Sequence, residues 1–244
     1  MKVVQWWILD AILETVPVSD RAFGFISGKN YVDNAREHHG ATHILNVDLE
    51  NFFPSTTFDM VKSVFREIGY SEEVSKGLAS LTTYAGSLPQ GAPTSPMLSN
   101  LVFRAYDSEI NQICEKIGVK YTRYADDMTF SSVEPIPRDF HKVIEGVFAA
   151  GFKLNAAKTV YSGENRKKEV TGVTIGRDGP CLSRDKLNAI RGWVHAIEMN
   201  PKGHRHEFEK LQGTIAMVEM VGGRGSGKII QNGKRALTSM KPHI

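Results

Sequence analysis

Three aspartates stand where the backbone could gather them into a cation site. Asp48 closes an apolar strand containing Ile44, Leu45 and Val47. Asp126 and Asp127 follow Val119, Tyr121 and Tyr124 at a tight turn, Ala125-Asp126-Asp127, between two short strands. Carboxylates brought to neighbouring strand ends repel one another unless they bind cations or take up protons. Such hard oxygen donors suit Mg²⁺, which is held by one or two carboxylates plus substrate phosphates. Two ions side by side are a known solution for phosphoryl and nucleotidyl transfer, one activating the attacking hydroxyl and the other stabilising the leaving oxygen. By itself an Asp-Asp pair is better explained as a plain turn, where Asp is common.

The neighbours add further chemistry. Phe52 and Phe53 follow Asp48 and end at Pro54. A ring there could lie under the sugar of an incoming nucleotide and leave no room for a 2′-hydroxyl, or could simply be a core aromatic. Leu88-Pro89-Gln90-Gly91 is a constrained loop that could bring backbone N–H groups and the Gln90 amide against phosphates or a base pair. Arg166-Lys167-Lys168 is a local basic run able to grip RNA phosphates or to serve as a solvated loop. Asn34 and His38 lie one helical turn apart and can share a face, either as a buried hydrogen-bonded pair or as an RNA contact.

The elements that must position these groups are legible from periodicity and breakers. Helices are expected over 3–15, 31–39, 57–68, 72–82, from about 95 to 117, over 138–150, from Ser183 and over about 206–220. Val4, Ile8, Ala11 and Ile12 should be the buried side of the first. Met97, Leu101, Ile110, Ile113 and Ile117 should be that of the long one. Strands are expected over 42–48, 119–132 around the turn, near 152–154 and over 169–175, with Arg177-Asp178-Gly179-Pro180 as a turn. Antiparallel pairs mixed with helices give an α+β class.

The 244 residues suit one large domain or two small ones, and 41% hydrophobic with 23% charged residues supports a packed core. Two cysteines, Cys114 and Cys181, argue against a disulfide framework and for a reducing compartment. No apolar run reaches the ~20 residues needed to cross a membrane. Asp10 and Glu14 interrupt the apolar N-terminus, which speaks against an export signal. The net charge is +3, but residues 222–244 hold Arg224, Lys228, Lys234, Arg235 and Lys241 and no acid. The rest of the chain is therefore slightly acidic, and phosphate binding there must use local grooves or metal ions.

Taken together, VDLENFFPS at 47–55, LPQGAPTSP at 88–96, YADD at 124–127 and GFKLNAAKT at 151–159 resemble, in order and spacing, the palm motifs of reverse transcriptases. Asn34-Ala35-Arg36-Glu37-His38 and Val170-Thr171-Gly172 resemble two further elements, NAxxH and VTG, of bacterial retron reverse transcriptases. The resemblance covers about residues 1–220. It implies a right-hand polymerase palm with partial fingers and a small helical thumb. The segments would be partial fingers at 1–41, palm at 42–175 with a fingers insertion near 57–86, thumb at 176–221 and a basic, flexible tail at 222–244.

By that likeness Asp48, Asp126 and Asp127 would hold two Mg²⁺ ions, with the Leu49 carbonyl touching the nucleotide-side ion. Lys158 would approach the pyrophosphate as a general acid. Phe53 would select deoxynucleotides, and Gln90 and Gly91 would contact nucleotide and template. Asn34, His38, Arg166, Lys167, Lys168, Val170, Thr171 and Gly172 would contribute to RNA recognition. The family copies part of a structured noncoding RNA, which serves as template and primer, from deoxynucleoside triphosphates into a short DNA. It acts in antiphage defence with an effector protein, and the expected location is cytoplasmic, with no membrane partner. The chain begins inside a helix that in this family follows a basic fingers segment, so a truncated, non-catalytic RNA-binding remnant is one alternative. A group II intron-like reverse transcriptase and a palm-fold nucleotide cyclase are others.

Overall fold

The computed structural model describes residues 1–149 and 151–240. Ala150, the expected end of the helix at 138–150, and residues 241–244 of the expected tail lie outside the described residues. The helices are α1 (Lys2–Ala11), α2 (Tyr31–Glu37), α3 (Phe52–Ser55), α4 (Phe58–Ile68), α5 (Glu72–Thr82), α6 (Ser95–Lys116), α7 (Phe140–Val147), α8 (Arg184–Met199), α9 (Phe208–Val221) and α10 (Ser226–Met240). The strands are β1 (His43–Asp48), β2 (Lys120–Tyr124), β3 (Asp127–Ser132), β4 (Val160–Ser162), β5 (Glu169–Val170), β6 (Val173–Gly176) and β7 (Gly179–Cys181). They divide into two compact units, residues 1–34 with 41–166, and residues 35–40 with 167–244.

The first unit is built on an antiparallel sheet of order β2-β3-β1-β4. Alternation decides what each strand presents. Leu45 and Val47 of β1 pair with Phe130 and Met128 of β3, and Tyr121 of β2 pairs with Phe130. These side chains share a buried core with Phe52, Phe103 and Ile110, and with Phe140, Ile144, Phe148 and Phe152. Because successive side chains point to opposite faces, Asn46 and Asp48 must face away from that core. Thr129 Oγ1 donates to Asn46 Oδ1 across the strands at 3.1 Å.

A second cluster joins Ile8, Ile12 and Leu13 to Val61, Val64 and Phe65 of α4, Ala79 of α5, and Leu98 and Leu101 of α6. Thr57 and Ser71 cap α4 and α5 by accepting from the Met60 and Val74 N–H groups. Each such cap contributes about 1 kcal/mol by satisfying an otherwise orphaned donor. Helix α6 starts with Pro96 in its first turn, as expected, but Ser95 Oγ donates to the Pro89 carbonyl and so fastens the preceding loop.

Several expectations shift. Val4, Ala11 and Ile117 are exposed rather than buried. Gln5 is buried instead, its amide donating to the Leu81 carbonyl at 3.0 Å. On α6 the buried side runs through Leu98, Leu101, Phe103, Asp107, Ile110 and Cys114. The strand expected near 152–154 reduces to a Leu154–Leu49 bridge, and the edge strand is β4.

In the second unit, β5, β6 and β7 form a small antiparallel sheet. The expected strand at 169–175 is a hairpin, with Val170 opposite Val173 and Thr171-Gly172 as its two-residue turn. Both turn residues have positive φ, +47° and +77°, as a type I′ turn requires. Gly179 and Pro180, expected as a turn, belong to β7. Ser183 caps α8 by accepting from Lys186 N, and α9 begins after a short 3₁₀ turn over Arg205–Glu207.

The expected flexible tail is a correction. Residues 226–240 form α10, with Ile229, Gly233, Ala236 and Met240 buried. That spacing is helical, and Gly233 lets α10 approach Ile215 of α9 closely: a Cβ there would meet the Ile215 side chain at 2.2 Å. The small residues hid the apolar stripe from a reading based on large side chains.

Candidate active site

The register of β1 against β3 decides the site. Asp48 lies directly opposite Asp127, so both carboxylates emerge on the same face of the sheet. Like charges in that arrangement are destabilising. Asp126 occupies the two-residue turn with Ala125, whose φ is +57°. The turn is tied to the end of β1 by Leu49 N donating to the Asp126 carbonyl at 3.1 Å. One carboxylate oxygen from each aspartate lies within 4.8 Å of the others. Asp48 is buried, Asp126 half-buried, and Asp127 keeps an exposed side.

The electrostatics follow from this crowding. Burial and the Asp48 charge raise the Asp126 carboxyl above its ordinary value, in that order of weight. Asp127 is pushed up to about 6, first by desolvation and then by Asp126 and Asp48. Although solvent reaches Asp127, the protein and the two anions around it favour its protonated form. Three convergent carboxylates with no nitrogen or sulfur donor suit a hard divalent cation such as Mg²⁺ or Mn²⁺.

Lys158 partly neutralises the site. Its Nζ donates to Asp48 Oδ2 at 3.1 Å, and this hydrogen bond and charge raise the lysine above its usual range. The side chain is 63% exposed and can leave. Asn155 holds the same aspartate more firmly. Its backbone N–H donates to the Asp48 carbonyl at 2.8 Å and its Nδ2 to Asp48 Oδ1 at 3.3 Å. Sequence reasoning overlooked Asn155, although it stands within GFKLNAAKT, three residues before Lys158.

Protons and cations compete for these oxygens, so Mn²⁺ binding should weaken as pH falls through about 6. Without metal, the raised carboxyl of Asp127 favours folding below its ordinary value of 3.8, and that contribution is lost as pH rises through about 6. The Tm of Asp127→Asn minus that of the wild type, in chelator, is therefore expected to rise from about pH 4 to about pH 7. A pH-independent difference would contradict the crowding of the three acids.

The other expected residues fall as follows. Leu49 is buried just beyond Asp48. Phe53 is half-buried, its ring 5.8 Å from Phe52 and 6.0 Å from Phe25 between centroids. Gln90 and Gly91 lie on the exposed turn before α6, with Gly91 at φ +81°. Asn34 is fully buried, yet among the described residues neither atom of its amide finds a hydrogen-bond partner. His38 is buried, as is Val170. Arg166 and Lys168 are polar residues of the loop before β5, and Lys167 pairs with Glu169 at 2.8 Å. Thr171 and Gly172 make the hairpin turn. No helix of the described residues is long and apolar enough to cross a membrane.

Residues 1–175 match the sequence model of a family described as reverse transcriptase (RNA-dependent DNA polymerase). The chain is 34% identical over 232 residues to the retron Ec86 reverse transcriptase of Escherichia coli, covering 94% of this chain and 72% of that protein. It is 33% identical to the retron Mx162 reverse transcriptase of Myxococcus xanthus, over 90% of this chain and 53% of the relative. It is 32% identical to the retron Mx65 reverse transcriptase of the same organism, over 91% and 56%. The chain thus spans little more than half the length of the two Myxococcus relatives.

Proposed function

The chain belongs to the reverse transcriptases, RNA-directed DNA polymerases, and among them to the retron type, and from that premise we propose that Asp48, Asp126 and Asp127 are the centre at which it extends a DNA end on an RNA template. The observation that carries this reading is the convergence of three carboxylates within 4.8 Å at adjoining strand ends of a polymerase palm. Two Mg²⁺ ions bound there would supply activation of the attacking hydroxyl and charge neutralisation at the leaving oxygen.

The chain's own groups prepare that step. Asp48 and Asp126 present the principal ligand oxygens, Asp127 the third carboxylate, and the Leu49 carbonyl a further oxygen beside the nucleotide. Asn155 steadies Asp48 through two hydrogen bonds, its Nδ2 donating to the carboxylate and its backbone N–H to the Asp48 carbonyl. Lys158 Nζ remains protonated because Asp48 raises it, and its exposed stem lets it swing to the pyrophosphate and deliver that proton. Gln90 and Gly91 contact the incoming nucleotide and the template.

Phe53 is the sugar gate. The rings of Phe52 and Phe25 lie beside it, at 5.8 and 6.0 Å between centroids, and a 2′-hydroxyl would meet the Phe53 ring. Phe53→Ala should raise ribonucleotide incorporation by about 10²-fold, measured as the ratio of kcat/KM for the two sugars, since a steric contact of this kind contributes ~1–3 kcal/mol. Unchanged sugar selectivity would remove Phe53 from this role.

The template and primer are one structured noncoding RNA, the substrates are deoxynucleoside triphosphates, and the product is a short DNA that serves antiphage defence with an effector protein in the cytoplasm. Asn34, His38, Arg166, Lys167, Lys168 and the Val170-Thr171-Gly172 hairpin take part in recognising that RNA. Residues 1–41 then serve as partial fingers, 42–175 as palm with a fingers insertion near 57–86, and 176–221 as thumb, with α10 following it. Incubation with an annealed primer on RNA, deoxynucleotides and Mg²⁺ tests the reading. Template-dependent extension is expected. Tight RNA binding without extension would favour a non-catalytic RNA-binding role instead.

A further inference from the structure

Behind the aspartate turn lies a buried polar cluster that the chemistry above does not use. Arg123 of β2 faces the core directly opposite Met128 of β3, and neither it nor Asp107 of α6 is exposed to solvent. The guanidinium is bidentate on Asp107, Nε to Oδ1 at 2.9 Å and Nη2 to Oδ2 at 2.7 Å. Its Nη1 makes two more bonds, to Asn100 Oδ1 at 3.0 Å and to the Ala125 carbonyl at 2.9 Å. Tyr121 donates its hydroxyl to the same Asp107 Oδ1 at 2.7 Å, and the Phe103 ring covers the guanidinium at 4.6 Å.

Ala125 is the residue before Asp126, and it holds a left-handed conformation that alanine rarely adopts. The cluster meets this residue from two directions. Arg123 grips its carbonyl. Gly24 packs on its amide side, where a Cβ at position 24 would come within 2.4 Å of Ala125 N. Asn100 links the two, donating its Nδ2 to the Gly24 carbonyl at 2.9 Å while accepting from Arg123. The backbone repeats the tie: Arg123 N donates to the Arg21 carbonyl and Phe23 N to the Arg123 carbonyl, both at 2.7 Å.

A buried ion pair is weak evidence of stabilisation, because apolar residues of similar volume often serve as well. Apolar residues could not do what this fork does at Ala125. The turn carries two of three mutually repelling carboxylates, so before cations bind, repulsion tends to move it away from β1. A rigid five-donor group anchored on Asp107 opposes that movement. Resting on the reading that the triad binds divalent cations, we propose that Arg123, braced by Asp107, Asn100 and Gly24, is a positioning residue that holds the Ala125 turn so that Asp126 and Asp127 meet Asp48 at bridging distance. Its loss weakens cation binding at the triad and leaves nucleic-acid binding in place.

The test is titration of the full chain with Mn²⁺ alone, read by electron paramagnetic resonance of the unbound ion, for the wild type, Asp126→Asn, Arg123→Lys and Gly24→Ala. Lysine keeps the charge opposite Asp107 but cannot reach Asp107, Asn100 and Ala125 together. Gly24→Ala leaves every charge in place and presses on the turn itself. Both variants should melt cooperatively and bind an RNA–DNA duplex within about twofold of the wild type, while Mn²⁺ affinity falls at least about 10-fold, as loss of a supporting residue around metal ligands does. In extension assays kcat should fall with the deoxynucleotide KM unchanged, and higher Mn²⁺ should restore it. Wild-type Mn²⁺ affinity in either cooperatively melting variant overturns the proposal, and where Arg123→Lys does not fold, Gly24→Ala decides. If the wild type itself binds no Mn²⁺, or Asp126→Asn binds it equally well, the metal reading fails and this one with it. If those two controls behave as expected and the variants do not, only the positioning role is lost.

Discussion

Asp126→Asn is expected to lower primer extension by at least about 10³-fold, the equivalent of ~4 kcal/mol of transition-state stabilisation. Asparagine keeps the shape of the side chain and the backbone bond from Leu49 N to the residue 126 carbonyl, so the turn itself should persist. It removes one negative charge from a cluster whose three acids share a span of 4.8 Å. Without metal the variant should be no less stable than the wild type, because the burial of a charge at residue 126 and its repulsion of Asp127 are both relieved. Rate measurements at saturating deoxynucleotide and Mg²⁺, beside a melt in chelator, separate chemistry from folding. A rate within about tenfold of the wild type would place the chemistry elsewhere.

The largest stability effect is expected at Asp107, whose ion pair with Arg123 is fully buried. Asp107→Ala leaves the Arg123 guanidinium in the core without its counterion, and arginine cannot shed its proton to escape. Breaking such a pair costs about 3–5 kcal/mol. Tyr121 also loses the acceptor of its hydroxyl at 2.7 Å. For a chain of this size the Tm should drop by roughly 6–20 °C. An exposed pair provides the contrast: Asp139→Ala, which removes the 2.9 Å contact with Lys142 at the surface, should leave the melt nearly unchanged. A urea melt in which Asp107→Ala loses less than about 1 kcal/mol would mean that the cluster relaxes around the gap.

Much of this arrangement was legible because it depends on local patterns. The apolar run ending in Asp48 and the Ala125-Asp126-Asp127 turn marked three acids at strand ends, and the register places Asp48 opposite Asp127. The Ser183 cap and the main helices also follow from neighbours a few residues away. What escaped depends on contacts distant along the chain. Arg123 stands in a strand between Tyr121 and Tyr124, and its burial becomes intelligible only with Asp107, sixteen residues upstream on another element. A closer look at alternation would have placed Arg123 on the same face as Tyr121 and flagged a charge needing a partner. Helix α10 was missed for a related reason. Its buried line includes Gly233 and Ala236, residues whose value lies in letting α9 approach, and no scale of hydrophobicity records that.

The amino-acid sequence by itself determined the family, the α+β class and the identity of the three acids, since these rest on residue types, their order and periods of two and 3.6 that the chain carries locally. The tertiary structure alone decided the distances that make those acids a site, the hold of Asn155 and Lys158 on Asp48, and the buried brace of Arg123 behind the turn. Coulomb interaction and hydrogen bonding depend on separation in space within a few Å, and that separation is settled by strand register and core packing, which no stretch of sequence contains by itself.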